Sequence, residues 1–233
     1  MRLRVRFTKL GKVRFISHRD LARVWERALR RAELPIIYTE GFSPRPKLHF
    51  GLALSTGYES VCEYIDIDLT EELSEHDLST LGPRLCAVLP AGVDVTAMAP
   101  TPAIGATSLQ EAVISCSWRI ELLSPAAEVA RAAVDQILAR PSVIVTRIRK
   151  GKEVTDDLRP YLHHLELDEG SQTPALLADL GTQPRSVRPA ELLAALEPPL
   201  VDRSICRLNQ WIAGDGQRAE PLSSLARAEI GVL

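Results

Sequence analysis

The sequence contains no long hydrophobic run. Hydrophobic residues make up 45% of the 233 residues, but no apolar stretch approaches the roughly 18 residues that a membrane helix needs. The first residues, MRLRVRFTKLGKVRF, alternate basic and apolar side chains and lack the apolar core and small-residue cleavage site of a signal peptide. We therefore expect no membrane association and a cytoplasmic location.

Paired cysteines and the common catalytic motifs are also missing. The four cysteines form no C-x-x-C pair, which argues against a disulfide framework and against a zinc site. The sequence has no glycine-rich phosphate loop, no G-x-S-x-G and no H-E-x-x-H. It therefore predicts no metal and no cofactor, and it favours a protein that is not itself an enzyme.

The small net charge of -2 conceals an uneven charge distribution. Residues 1–50 contain 13 Lys and Arg against 4 Asp and Glu, a balance of +9. The remaining residues contain 15 against 26, a balance of -11. Because salt screens charges over about 10 Å, the basic end can attract a polyanion although the whole chain is slightly acidic.

Residues 1–99 are predicted to form one α+β domain. Leu3, Val5 and Phe7 alternate with arginines, which is typical of a half-buried strand with a basic outer face. Ser17 followed by Asp20 has the spacing of a helix N-cap and capping box, so we expect a helix from there to Glu33.

Further elements of this domain follow from local composition. We expect short strands over 35–41 and 46–56, a strand at SVCEYIDIDL and a strand at GVDVTAMA. Between the last two we expect a helix over 71–81 that is broken by Gly82-Pro83, with a resumption after the break as an alternative. The order is β-α-β-β-α-β with one possible extra hairpin strand, which is the ferredoxin-like arrangement.

The second half is predicted to repeat this order. Residues 100–110, rich in Pro, Thr, Ala and Gly, are the predicted linker, and 111–213 the second domain. Its first helix is expected to begin with Ser124 as N-cap and Pro125 at the first helical position. Residues 214–233 read as a polar tail. The predicted fold is therefore α+β, with two tandem ferredoxin-like domains and antiparallel sheets.

Arginines recur along one face of the first predicted helix, and few acids accompany them: Arg19, Arg23, Arg27, Arg30 and Arg31. Glu26 to Arg30 is the one well-placed local ion pair. Guanidinium groups repel one another unless an anion lies among them, and their planar fork matches phosphate oxygens. The pattern indicates contact with nucleic acid or another phosphate, with a protein partner or a solvated face as alternatives.

The segment EGFSPRPKLHFG, residues 40–51, adds to this basic region. Its two prolines predict a stiff, extended loop that keeps Arg45 and Lys47 outward. Phe42 and His49 could face either the core or unpaired bases of a nucleic acid, whereas Phe50 is expected in the core.

A catalytic alternative rests on two histidines. His18 and His49 are candidates for the general acid and base of a metal-independent RNA cleavage. A histidine beginning a helix is more often structural, however. Asp66 and Asp68, together with Glu63 on the same predicted strand, are candidates for a metal site, but alternating acids on a strand more often form its wet face.

A resemblance to a known family extends over nearly the whole chain. It is carried by FISHRDLARVWERALRRAELPIIYTEGFSPRPKLHFGLALSTGYESVCEYIDIDL and, further on, by GKEVTDDLRPYL and SVRPAELLAAL. These segments resemble the uncharacterised radical-SAM-linked domain family of bacteria, whose domain follows a cobalamin-binding radical SAM enzyme or stands alone. The chain lacks a C-x-x-x-C-x-x-C run, so the resemblance implies a free-standing form without its own iron–sulfur cluster.

A more distant similarity concerns layout alone. The CRISPR repeat-processing endoribonucleases are also tandem ferredoxin-like proteins whose first helix engages RNA, but their glycine-rich loop near the C-terminus is absent here. We therefore hypothesise an RNA-binding accessory protein of RNA modification or processing. The alternatives are an endoribonuclease using His18 or His49, and a docking partner of a radical SAM or RNA-processing enzyme.

Overall fold

The structure, a computed structural model, describes residues 1–101, 108–123, 127–149, 151–170, 173–214, 216–223 and 228–229. Most of the predicted linker and the predicted Ser124–Pro125 helix start lie outside the described residues. The chain divides into unit 1, Met1–Val113 with Trp211–Leu233, and unit 2, Ile114–Gln210. None of the helices in the described part is both long and apolar enough to span a bilayer.

The described chain contains both helices and strands. In order they are β1 (Arg2–Lys9), α1 (His18–Arg31), β2 (Leu48–Phe50), β3 (Glu59–Asp68), α2 (Glu75–Cys86), β4 (Val95–Thr101), α3 (Leu109–Ala112), β5 (Val113–Leu122), α4 (Ala127–Ala139), β6 (Ile144–Arg149), β7 (Lys152–Asp157), β8 (Leu162–Asp168), β9 (Ala175–Gly181), α5 (Pro189–Ala195), β10 (Asp202–Ala213), β11 (Arg218–Ala219) and β12 (Ala228–Glu229). The chain is an α+β protein whose strands pair mainly in antiparallel fashion, as the sequence predicted.

Strand β1 organises the sheet of unit 1. The strands β12, β4, β1 and β3 lie side by side in that order, and β2 pairs with β3. The apolar residues of β1 predicted to face inward, Leu3, Val5 and Phe7, are 0% exposed. They form a core with α1 and α2, in which the rings of Phe7 and Trp25 meet edge to face at 4.9 Å.

The arginines of β1 lie on the opposite face of the sheet, where acids neutralise them. The register places Arg2 opposite Asp68 and Arg4 opposite Asp66. Arg4 donates two hydrogen bonds to Asp66, Nε to Oδ1 at 2.8 Å and Nη2 to Oδ2 at 2.9 Å, and both side chains are buried. Arg6 lies 3.6 Å from the carboxylate of Glu220. The predicted basic outer face of β1 is therefore a row of ion pairs.

Helix α1 begins at the predicted N-cap and ends two residues before the predicted end. The Ser17 hydroxyl accepts a hydrogen bond from the Asp20 backbone N–H at 3.2 Å, which confirms the predicted N-cap. The helix stops at Arg31, shortly before the predicted Glu33. Glu33 adopts a positive φ of 52°, and the Leu34 N–H bonds the Leu29 carbonyl at 3.3 Å.

Two local predictions in unit 1 were wrong. Helix α2 continues through Gly82-Pro83 to Cys86, because Pro83 lies in the last turn and the flanking Leu81 and Leu85 are buried in the core. Residues 35–41 form no strand. They make isolated bridges, Ile36 to Leu69 and Tyr38 to Pro46, because the prolines of the following loop interrupt regular pairing.

Unit 2 contains more strands than the sequence predicted. Strands β10, β5, β9 and β8 lie side by side, and α4 packs against β8. Strand β9, which the sequence analysis missed, is an almost wholly buried run that lacks a polar alternation. Within the described residues, the β-branched strand β6 pairs only with β7, in a separate two-stranded sheet joined at Gly151, whose φ is 75°.

The described residues beyond 214 differ from the predicted polar tail. Strand β11 pairs with the end of β10, and β12 pairs with β4. Leu222, only 1% exposed, packs with Cys62 and Tyr64 of β3 on the sheet face that carries the arginines. Leu222 belongs to no clear alternation or helical spacing of apolar residues, so its burial was not visible in the sequence.

Removing one partner of the Arg4–Asp66 pair should strongly destabilise unit 1. We expect Asp66→Asn to lower the free energy of unfolding by about 3 kcal/mol, because it leaves a buried guanidinium without its counter-charge. The measurement is urea unfolding followed by circular dichroism. Arg4→Met combined with Asp66→Leu should recover most of the loss, and the exposed control Arg23→Gln should leave the midpoint unchanged. Equal midpoints for wild type and Asp66→Asn would contradict the assignment.

Candidate functional site

The five predicted arginines of α1 are all exposed. Leu21, Trp25, Ala28 and Leu29 bury one side of the helix, and the arginines occupy the other: Arg19, Arg23, Arg27, Arg30 and Arg31. We call these five residues the arginine face.

Few acids neutralise the arginine face. Arg23 Nη1 lies 3.3 Å from Asp20 Oδ1, and Arg27 Nε donates to the Arg23 carbonyl at 3.1 Å. Among the described residues, Arg19, Arg30 and Arg31 form no ion pair. The predicted Glu26–Arg30 pair is not formed either. The arginine face therefore keeps most of its positive charge exposed to solvent.

Asp20, the acid that pairs with this face, is engaged at the helix start. The Ser17 hydroxyl donates to Asp20 Oδ2 at 2.7 Å, and this bond, aided by Arg23, lowers the pKa of Asp20. Asp20 thus stays charged over a wide pH range, and it offsets only the nearest arginine.

The loop that follows α1 is closed by backbone contacts near its base. We call residues 39–47 the proline loop. The Thr39 N–H donates to the Arg45 carbonyl at 2.8 Å, and the Arg45 N–H donates to Thr39 Oγ1 at 3.0 Å. Gly41 has a φ of 119°, which only glycine adopts readily and which permits the turn at the tip.

Side chains of the proline loop point into solvent. Arg45 and Lys47 are exposed, as predicted, and Phe42 is fully exposed at 111% of its reference area. The alternative in which Phe42 plugs the core is therefore wrong.

His18 and Phe50 meet on the helix side of the sheet. Their rings lie 4.9 Å apart, edge to face, and Phe50 packs against the core as predicted. This contact joins the first residue of α1 to the strand that follows the proline loop.

His49 lies on the other face of the sheet. Its Nε2 is 3.0 Å from Asp68 Oδ2 and 3.5 Å from Arg2 Nη2. Since adjacent strand residues point to opposite faces, His49 and Phe50 diverge, and His49 does not meet His18. The predicted pairing of these two histidines as acid and base is therefore contradicted.

The acids of β3 have structural partners. Burial raises the pKa of Asp68, but the hydrogen bonds from Arg2 and His49 outweigh it, so the net pKa is lowered. The same contact with Asp68 raises the pKa of Arg2. Asp66 binds Arg4, as described above. No group of three or more His, Cys, Asp or Glu side chains within the described ranges is arranged to hold a metal ion.

One exposed segment of unit 1 was not predicted from the sequence. The 3₁₀ segment Gly11–Phe15 precedes α1, and its Phe15 is 61% exposed beneath the guanidinium of Arg14, 4.8 Å from the ring centroid. Phe15 belongs to neither the apolar alternation of β1 nor the apolar spacing of α1. This was the only signal of its exposure in the sequence.

The described residues therefore define an α+β protein whose first unit carries an exposed, largely uncompensated arginine surface. Residues 2–189 match the family described as "Uncharacterized protein conserved in bacteria (DUF2344)", and the chain belongs to that family. No curated protein matches it.

The comparison with solved structures is weak. A chain in the crystal structure of a Cbf5-Nop10-Gar1 complex is similar with a TM-score of 0.48 and 8% identity. The match covers 89% of this chain and 48% of that one, so this chain spans about half the length of its neighbour. A similarity at this level tells nothing about function.

Acid should remove the stabilisation contributed by Asp68. Because the pKa of Asp68 is lowered in the folded protein, its contribution is present above about pH 4 and is lost as the pH falls through the folded value. We expect Asp68→Asn to lower the free energy of unfolding by about 1 kcal/mol near pH 7, a figure reduced for solvent screening. The difference should vanish towards about pH 2.

Urea unfolding at several pH values, followed by tryptophan fluorescence, measures this difference. Glu40→Gln, at an exposed carboxylate of the proline loop, serves as the control and should match wild type throughout. A difference between wild type and Asp68→Asn that persists in acid would contradict the assignment.

Proposed function

We propose that the arginine face and the proline loop bind RNA, and that the protein is an accessory factor of RNA modification or processing without a radical SAM cluster of its own. The observation that carries this proposal is five exposed arginines on one helix with a single acid paired to them. Each guanidinium can present two parallel donors to phosphate oxygens.

The contrast with β1 supports a functional reading of this surface. Both elements are arginine-rich, but each arginine of β1 forms an ion pair with an acid, whereas most of those of α1 do not. Close, unpaired positive charges are unfavourable for folding, so stability does not account for them. A polyanion that neutralises them does.

We further propose that the partner protein is a radical SAM or RNA-processing enzyme. The resemblance to the radical-SAM-linked domains supports this association, since there the domain is found behind such an enzyme or alone.

As architecture we propose tandem ferredoxin-like units. In unit 1, the order β-α-β-β-α-β and the arrangement β4, β1, β3, β2 support it. Unit 2 would carry the β6–β7 hairpin as an addition.

Charge reversal on α1 should abolish RNA binding. We expect Arg23→Glu with Arg27→Glu to lose at least about tenfold in affinity for a fluorescent cellular RNA fragment, and wild-type affinity to fall steeply with salt. Fluorescence anisotropy over a salt series measures both effects.

A matched control separates the site from the overall charge. Arg131→Glu with Arg203→Glu makes the same charge change at exposed positions of unit 2 and should retain most of the affinity. The proposal is wrong if wild type shows no RNA affinity at low salt, or if the two double variants behave alike.

A specific contact favours one form of the catalytic alternative. His49 is hydrogen-bonded to Asp68, an arrangement that orients an imidazole for proton transfer, while about half of its side chain is exposed. His18 has no such partner among the described residues. If the protein cleaves RNA without a metal, His49 is therefore the better candidate for the base.

Incubation of labelled RNA with purified protein in EDTA tests this alternative. An endoribonuclease of this kind predicts cleavage that His49→Ala abolishes and His18→Ala preserves. Identical RNA patterns with and without wild-type protein would eliminate it.

A further inference from the structure

Two of the four phenylalanines are exposed on unit 1. Phe7 and Phe50 pack in the core, whereas Phe15 is 61% exposed and Phe42 111%. Burying a phenylalanine side chain stabilises a fold, and neither of these exposed residues obtains the full stabilisation within unit 1. Packing therefore does not account for either aromatic side chain.

Phe15 is held on a fixed backbone. The side chain of Lys9, only 2% exposed, donates to the carbonyls on both sides of Phe15, those of Arg14 at 3.4 Å and Ile16 at 3.2 Å. The Gly57 N–H also donates to the Arg14 carbonyl, at 2.8 Å. The ring is thus presented outward from an anchored segment, which lowers the entropy lost when a ligand binds it.

One cation is already placed on the Phe15 ring. The Arg14 guanidinium lies over it, and Arg14 Nη1 is tied to Glu59 Oε1 at 3.1 Å. Glu59 also accepts from the Gly11 N–H at 2.8 Å, so the whole 3₁₀ segment is fastened at its start. The Arg14–Phe15 pair forms a prebuilt flat surface whose remaining ring area is open.

Phe42 is presented in a comparable way. It lies at the tip of the proline loop, beyond the hydrogen bonds between Thr39 and Arg45 that close the base. Both aromatics are followed along the chain by exposed cations, Arg19 for Phe15 and Arg45 for Phe42. An aromatic face next to basic side chains suits a nucleotide, whose base stacks while its phosphate is neutralised.

We propose that Phe15 and Phe42 stack on unpaired bases. The RNA bound by the arginine face and the proline loop would then be single-stranded rather than duplex. The inference rests on the proposed function and adds the class of RNA. In a duplex the base faces are covered by their neighbours, so a duplex offers phosphates to the arginine face but few faces to the two rings.

Three RNA probes of equal length test this inference: single-stranded oligouridylate, the same strand with abasic riboses, and a duplex. Wild type should bind oligouridylate most tightly. Phe15→Leu and Phe42→Leu should each weaken that binding about tenfold and leave abasic binding unchanged, because they remove stacking but no charge. Leu123→Ala, at an exposed apolar residue of unit 2, should match wild type.

The outcomes separate the two proposals. If wild type binds oligouridylate and abasic strand equally, or if both leucine variants bind like wild type, stacking is wrong while RNA binding stands. If wild type binds none of the three probes at low salt, the proposed function fails and the stacking inference with it. Urea unfolding of each variant verifies that its fold is unchanged.

Discussion

The pleat of β1 is the constraint on which the rest of unit 1 depends. Successive residues of a strand point to opposite faces, so Leu3, Val5 and Phe7 enter the core beneath α1 while Arg2, Arg4 and Arg6 emerge on the other side. The register with β3 then places an aspartate directly opposite two of these arginines. A shift by one residue would bury the arginines among the apolar side chains, so the ion pairs and the core enforce the same register.

Because of this constraint, the arginines of the basic N-terminal end fall into two groups with different roles. The arginines of β1 form ion pairs with the acids of β3 and with Glu220, and these pairs link β1 to β3 and to the C-terminal segment. The arginines of α1 stand on the helix side opposite the core and retain their charge. Positive charge that looked continuous in the sequence is structural on one element and available on the other.

Local chemistry made much of the fold predictable. Strand β1, the Ser17 cap and strand β3 follow from short-range alternation and capping. The pairing of elements with distant partners was less predictable. Strand β6 has a clear strand composition, but composition does not choose between a sheet and an isolated hairpin. Helix α2 passes through Pro83 because buried leucines on both sides outweigh one lost hydrogen bond.

The candidate site, like the fold, was predictable only in part. The sequence by itself determined that α1 is amphipathic with five outward arginines, and that two prolines would hold Arg45 and Lys47 in an open loop, because these properties depend only on neighbours along the chain. Only the tertiary structure decided that β1 is neutralised, that His18 and His49 lie on opposite faces, and that Phe15 and Phe42 are exposed. Those outcomes depend on strand register and on which distant side chains meet, and such contacts leave no local trace in the sequence.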